Sequence, residues 1–435
     1  MFPRLLSLTP VVCLSLFAAD TGKPKKEVTF HKDVQAILQS HCQECHRPGE
    51  VAPMPLLTYQ QARPWAKSIK QAVLTEKMPP WPADPHFGKF SNDRSLTKEQ
   101  IQTLAAWADG GAKEGDRKDS PAPRKWIEGW NIDKPDVVLS MPQAFPLPAK
   151  AEIEYQYIVV PTGFTEDKWV QEVEVRPSNR GVVHHAVMWI REPGDRWLKD
   201  AKPGVPFVPA VKSEGQRFAN TTGGMNETLT IYTPGMVPDI WKPGQGKLIK
   251  AGSDIIFQMH YTTNGTAGED KTKIGIVFAK QTPTEKILTV AALNNRLEIP
   301  PGDPNYVATG MTPIINPVKI ISFFPHMHFR GKQFEYEIVY PDGHKETPLK
   351  LKSWDLGWQL SYKLAEPISL PAGAKVFAKA TFDNSKNNPA NPDPTATVHW
   401  GEQSWEEMLV GFFDVIVDPR VTSKNFYQRQ PPRAE

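Results

Sequence analysis

The apolar positions of this chain change period once. From about residue 26 to 115 they recur at helical spacing. "FHKDVQAILQSHCQEC" puts Val34, Ile37 and Leu38 on one stripe, and "TYQQARPWAKSIKQAVLTEKMPPW" continues with Trp65, Ile69, Val73 and Leu74. "LTKEQIQTLAAWADGG" opens on Thr97, a capping residue followed by Glu99 and Gln100, and closes on Gly110 and Gly111. A charged, proline-containing stretch without apolar period, "AKEGDRKDSPAPRK", reads as a linker. Beyond it the runs are short, alternating or β-branched, as in "EYQYIVV", "KWVQEVEV", "VVHHAVMWI" and "DIIFQMHYTT". After "PPGDPNY" the style repeats with "KIISFFPHMHF", "QFEYEIVY", "AKVFAKATF" and "MLVGFFDVIV". Many short strands with frequent turns predict antiparallel sandwiches. The pattern thus predicts a small all-α domain over 26–115, a linker over 116–135, and two antiparallel, jelly-roll-like β-sandwich domains over 136–285 and 286–425.

Length and composition agree with a multidomain chain. It has 435 residues, more than one core of ordinary size holds, and 43 prolines, which favour turns over long helices. The net charge is +3 and the basic residues are scattered, so no nucleic-acid partner is expected. "MFPRLLSLTPVVCLSLFAAD" has one arginine, an apolar run, then Ala18 and Ala19, the pattern of a cleaved secretory signal over residues 1–19. The run is broken by Ser, Thr and Pro and is shorter than the ~20 residues of a spanning helix. A periplasmic or secreted protein with no transmembrane anchor after cleavage is expected.

Three cysteines are present, and Cys13 would leave with the signal. The remaining two lie in "HCQECHRPG" as Cys42-x-x-Cys45-His46, the spacing of c-type haem attachment. Two thiols can form thioethers to the haem vinyl groups, and His46 then lies under the iron. A redox motif or half a zinc site are the other uses of such a pair. No second CxxC completes a zinc ribbon, and no strand pattern precedes this one as a thioredoxin-like fold requires. The surrounding helical segment resembles a c-type cytochrome domain carrying one covalent haem c. An electron-transfer haem takes Met or His as its sixth ligand. Met78, in "EKMPPW", is the leading candidate, presented where this family usually presents it; His86, Met54 and His41 are rivals.

Five further histidines fall in strand-like segments: His184 and His185, His260, and the pair His326 and His328. No cysteine lies here, so the imidazoles could hold Zn, Cu, Ni or Fe, but not as a thiolate site. His326 and His328 are two apart and share a strand face. His184 and His185 would point to opposite faces of a regular strand, so joint ligation needs a bulge or a strand end. Gln258 shares a face with His260 and could support it from behind. A hydrogen-bonded, purely structural role is the alternative for any one of these clusters. Trp354, Trp358 and Asp383 read as packing aromatics and an Asx-rich turn, with the lining of a cleft as their alternative role, and His344 and His399 read as surface residues.

"VVHHAVMW", "FQMHYTTNG", "HMHFRGK" and "WGEQSWEEMLVGFF" occur in that order. The stretch from about 130 to 420 resembles the copper type II, ascorbate-dependent monooxygenases, the family of peptidylglycine α-hydroxylating monooxygenase and dopamine β-hydroxylase. The resemblance implies two β-sandwich halves, each with one copper, facing each other across an open cleft. By position, His184, His185 and His260 would hold the first copper, and His326, His328 and Met408 the second, catalytic one. A thioether is a soft ligand that favours Cu(I). Implied are O2, a small organic substrate hydroxylated at C–H, and either a redox partner or a small reductant such as ascorbate.

The chain departs from the animal enzymes in three ways. It lacks their disulfides. Where the peptide-amidating branch has an arginine and polar residues, it has Phe324 before the HxH pair and Leu409, Val410 and Phe412 after the methionine. A less polar substrate is therefore expected. The third departure is the haem segment, which implies electrons delivered through haem c. A periplasmic haem and copper electron-transfer or copper-binding protein without hydroxylase activity is the alternative on the same scaffold.

Overall fold

The computed structural model describes residues 27–209 and 226–429. The expected leader over 1–19 lies outside the described residues. Among the described residues, α-helices are confined to the N-terminal segment: α1 (Gln35–His41), α2 (Tyr59–Ala62), α3 (Ala66–Leu74) and α4 (Lys98–Asp109). Two of them begin with full capping boxes, Thr58 with Gln61 and Thr97 with Gln100, where each side chain satisfies the other residue's backbone N–H. Gly110 and Gly111 end α4, and the positive φ of Gly111 is one a glycine adopts freely. Phe30, Leu38, Ile69, Val73, Leu104 and Trp107 form the small core of this segment. Trp65 and Leu74, expected on the buried stripe, are instead largely exposed. The segment is less helical than its apolar period predicts: residues 42–57 and 76–96 are turns and extended chain. Ala83 and Phe90 form single β-bridges to Leu351 and Leu364, so this chain is tied to the second sandwich. No described helix is long and apolar enough to cross a membrane.

The rest is largely β-structure, with strands numbered in chain order. Among the described residues, β2 (Phe145–Leu147) pairs only with β10 (Gly268–Asp270), β13 (Glu298–Ile299) only with β20 (Val398–His399), and β7 (Asp239–Ile240) lies against β4 (Lys168–Arg176). One four-stranded sheet of the first half runs in the order β3 (Gln156–Pro161), β9 (Asp254–Tyr261), β5 (Val183–Arg191) and β6 (Glu227–Tyr232). Facing it are β1 (Val137–Ser140), β11 (Lys273–Phe278), β4 (Lys168–Arg176) and β8 (Gln245–Ile249). Ile158, Met188 and Phe257 of the first sheet meet Val170, Val173 and Ile276 of the second in one core. In the second half, β12 (Glu285–Leu293), β21 (Val410–Val417), β15 (Val318–His326) and β18 (Tyr362–Leu370) pack on β14 (Tyr306–Pro313), β19 (Lys375–Phe382), β16 (Gly331–Val339) and β17 (Lys345–Leu351). Phe323, Phe413, Phe334 and Tyr336 lie at the centre of that core.

The two sandwiches are not separate bodies joined by a string. β8 pairs in parallel with β12 through Gln245 and Gly246, so one long sheet runs through both halves. Buried polar groups lace this seam. Lys247 donates to the Thr228 carbonyl at 2.7 Å and to Thr289 at 2.8 Å, and Lys286 pairs with Glu227 at 2.7 Å. The outer face of the β3–β9–β5–β6 sheet is thereby held against the outer face of the β12–β21–β15 strands. The five candidate metal-binding histidines lie on strands of these two facing surfaces or, for His328, two residues past the end of one.

Candidate metal centres

His185 and His260 are cross-strand partners on β5 and β9. The register slips between Val183 and His185, a bulge that places His184 on the same side as His185, as joint ligation requires. The three rings converge by their Nδ1 atoms: His184 to His185 at 3.1 Å and His260 to His185 at 3.4 Å. One ligand atom from each of the three lies within 4.8 Å of the others. The opposite nitrogen of His184 donates to the Leu356 carbonyl at 2.9 Å, which leaves its Nδ1 lone pair facing the cluster. His260 stacks on Tyr155 at 4.4 Å, and its Nε2 lies 3.3 Å from the Ser404 hydroxyl. Gln258 turns to Tyr157, Trp189 (3.1 Å) and Glu402 (2.9 Å). Burial, and then the proximity of the other imidazoles, holds His185 and His260 well below the ordinary histidine range. Neutral imidazoles with converging lone pairs are what a bound cation needs.

His326 ends β15 and His328 follows two residues on, their rings perpendicular at 5.1 Å. Here the opposite nitrogens are offered. His326 donates through Nδ1 to the Gln359 side-chain oxygen at 2.6 Å, and His328 Nδ1 lies 3.3 Å from the Glu406 carbonyl. The buried Nε2 of His328 has no hydrogen-bond partner among the described residues. An orphaned buried nitrogen is costly unless something absent from the protein chain meets it. Burial lowers His326 to about 4 and moves His328 the same way. Met408, just before β21, is buried close by.

Sequence reasoning missed the group that sets this second site. Glu407 is fully buried and accepts backbone N–H bonds from His328 (2.8 Å), Arg330 (2.7 Å) and Met408 (3.0 Å). One carboxylate thus ties the HxH turn to the methionine. Burial raises it to about 7 despite the three N–H bonds. Trp354 adds a second clasp, donating from its indole to the His328 carbonyl at 3.1 Å. A Cβ at Gly331 would stand 2.5 Å from that indole, so only glycine lets Trp354 seat there.

The two groups meet. His185 and His326 lie edge to face with centroids 5.5 Å apart, so the open cleft implied by the resemblance is closed at this point. Beside them lies a cavity of about 600 Å³ between the two facing sheets, lined by His185, His326 and Met408 and otherwise largely by apolar side chains such as Trp189, Phe324 and Phe412. Val410 also lines it, whereas Leu409 belongs to the core of the second sandwich. Glu402 brings the cavity its carboxylate, bonded to Tyr157 and Gln258.

Cys42 and Cys45 are free, half-buried thiols. Burial pushes Cys42 up to about 12 and raises Cys45 as well, the opposite of a reactive redox pair. His46 Nδ1 bonds the Met54 carbonyl at 3.0 Å, which fixes the ring and leaves Nε2 for a ligand. Two free thiols beside an oriented imidazole fit covalent haem. Met78 lines a second cavity, about 460 Å³, with Trp81, Phe90 and Ile101; Cys42, Cys45 and His46 do not contribute to it. Among its rivals, His86 is exposed and bonded to Asp84 at 2.6 Å, and His41 has both ring nitrogens engaged, by the Arg94 carbonyl and Gln100. Asp383 caps its turn through the Ser385 N–H, and His399 and His344 are exposed.

No family model and no curated protein matches the sequence. Among solved structures, the major capsid protein P2 of bacteriophage PM2 overlaps 65% of this chain and 98% of its own at 12% identity and a TM-score of 0.29. The infectious bursal disease virus VP2 subviral particle overlaps 68% of this chain and 76% of its own at 9% identity and a TM-score of 0.19. Likenesses this weak carry no argument about this chain.

Proposed function

We propose that this protein is an exported, haem-fused dicopper monooxygenase that hydroxylates a C–H bond of a largely apolar organic substrate. The observation that carries the proposal is convergence. Five imidazoles and one thioether, drawn from two sandwiches, form two adjoining groups, of which His185, His326 and Met408 line one largely apolar cavity, and the Nε2 of His328 lacks any partner among the described residues. His184, His185 and His260 would hold one copper, and His326, His328 and Met408 the other. Copper bound there would supply one-electron redox chemistry with O2.

The protein's own part is positioning and exclusion. Leu356, Gln359 and Glu406 fix the ring nitrogens, so the free ones face the site. Glu407 holds the His328 and Met408 backbones in register. Trp189, Phe324, Val410 and Phe412 would seat an apolar substrate next to His326 and Met408 and keep water from it. The overall change is R–H + O2 + two electrons + two protons to R–OH + water; Cys42, Cys45 and His46 would hold the haem that would relay the electrons from a reductant. A protein that only stored copper or passed electrons would leave the cavity without a use.

The test is to count haem and copper per chain, then follow O2 uptake with apolar C–H substrates. One haem, two coppers and substrate-dependent hydroxylated product are expected. Met408→Ile is expected to abolish product while sparing the first copper. Fewer than two coppers, or O2 uptake indifferent to every substrate, overturns the assignment.

A further inference from the structure

The sequence segment "WDLGWQ", residues 354–359, is bonded to both histidine groups and ends near the haem-attachment motif. Its Leu356 carbonyl accepts from His184 at 2.9 Å. Its Gln359 side chain accepts from His326 at 2.6 Å. Its Trp354 indole donates to the His328 carbonyl at 3.1 Å. At the far end, Trp358 and Cys45 of the haem-attachment motif both pack near Gly235. The position a Cβ would take on Gly235 is 3.7 Å from the Trp358 ring and 3.8 Å from the Cys45 sulfur, so indole and sulfur flank one glycine.

The segment is also stiff. The Asp355 carbonyl accepts from the Trp358 N–H at 3.0 Å, its carboxylate accepts from the Gly357 N–H at 2.9 Å, and Gln359 donates back to the Leu356 carbonyl at 3.3 Å. The Gly235 loop is bound on both sides. Thr233 donates to the Gln359 carbonyl, and Arg94, from the helical segment, donates to the Gly235 carbonyl at 3.0 Å. A side chain that served only to fill a core would not need bonds to both imidazole groups.

We infer that residues 354–359 are the electron path from the haem-attachment motif to both histidine groups, with Trp358 as the residue that receives the electron at Cys45. The inference rests on the haem and copper assignment above. Each event moves one electron: ferrous haem becomes ferric, one cupric ion becomes cuprous, and no bond forms or breaks. From Trp358 onward the route is covalent backbone and then one hydrogen bond to each ring. The only through-space step is at Gly235, between the Cys45 sulfur and the indole. Tunnelling is far more efficient through bonds than across gaps, so the gap beside Gly235, between Cys45 and Trp358, governs the rate. The branch point also explains how one haem serves two one-electron acceptors.

The experiment uses the full chain with haem attached and copper in the cupric state, without O2. The haem is photoreduced by a flash and its reoxidation followed by absorbance. First-order decay independent of protein concentration is expected. Trp358→Leu is expected to slow it about tenfold, and Trp358→Phe much less, with haem potential and cupric spectrum unchanged. In protein made without haem or copper, Trp358→Leu is expected to speed alkylation of Cys45 but not of Cys42. Decay at the wild-type rate in Trp358→Leu, decay that scales with protein concentration, or unchanged Cys45 alkylation overturns the path. A chain that binds no haem or no copper fails the assignment itself, an outcome the haem and copper counts show separately.

Discussion

His185 of the first sandwich and His326 of the second stand edge to face, with ring centroids 5.5 Å apart. Metal ions held by these two groups would be close neighbours rather than distant centres. The doubly cupric protein is therefore expected to give an electron paramagnetic resonance spectrum broadened or reduced by coupling. His260→Ala and His328→Ala, each keeping one site, are expected to give sharp spectra of isolated Cu(II). If the spectrum of the intact protein equals the sum of those two, the sites are apart in solution.

Glu407 accepts three backbone N–H bonds in a fully buried position. Removing it strands three donors, each a charge-assisted bond above about pH 7, where the carboxylate is ionised. Glu407→Ala is expected to destabilise the protein by about 3 kcal/mol or more in urea unfolding, on the scale of 1.5–3 kcal/mol for a bond to a charged group. Glu407→Gln keeps one acceptor oxygen and is expected to cost about half as much. Both variants are expected to weaken copper at His326 and His328 while sparing His184, His185 and His260. Equal weakening at both groups would show that Glu407 acts on global stability alone.

Much of the site is legible one strand at a time. Period-two spacing puts His326 and His328 together, and the need for an irregularity at His184 follows from the same rule; the bulge is there. The lack of charge at Phe324 also reads through to an apolar cavity wall. What strand rules cannot carry is the packing of one sandwich on the other. The His185–His326 contact depends on the parallel pairing of β8 with β12, which brings the two outer faces together. Glu407 fails for a related reason. A glutamate beside another glutamate reads as surface, and only the turn of the chain at His328 brings the His328 and Arg330 N–H groups that, with that of Met408, satisfy it. Trp358 is conspicuous in sequence, but Cys45, which shares its Gly235 neighbour, is more than three hundred residues away and on another unit.

The seam between the sandwiches contains a buried ion pair, Lys286 with Glu227, both nearly inaccessible to solvent. Breaking such a pair from one side leaves an unpaired buried charge and costs about 3–5 kcal/mol. Lys286→Met alone is expected to lower stability by about that amount. Adding Glu227→Leu is expected to recover most of it, because the second change removes the stranded charge. A double variant no more stable than the single one would mean that the pair matters for packing rather than for charge.

Acid is expected to weaken the metal-free protein through its histidines. Burial holds His326 at about 4, against an ordinary value of 6.5. Between those values the unfolded chain binds the proton and the folded protein does not. Stability from this group is thus complete above about pH 6.5 and is lost as pH falls toward 4. From pH 7.5 to 5 the loss from His326 alone is about 2 kcal/mol. His185, His260 and His328 are lowered in the same direction and add to it. Urea midpoints of the metal-free protein are therefore expected to fall steadily over that interval, and His326→Gln is expected to flatten the fall. A slope that His326→Gln leaves unchanged would place the acid sensitivity elsewhere.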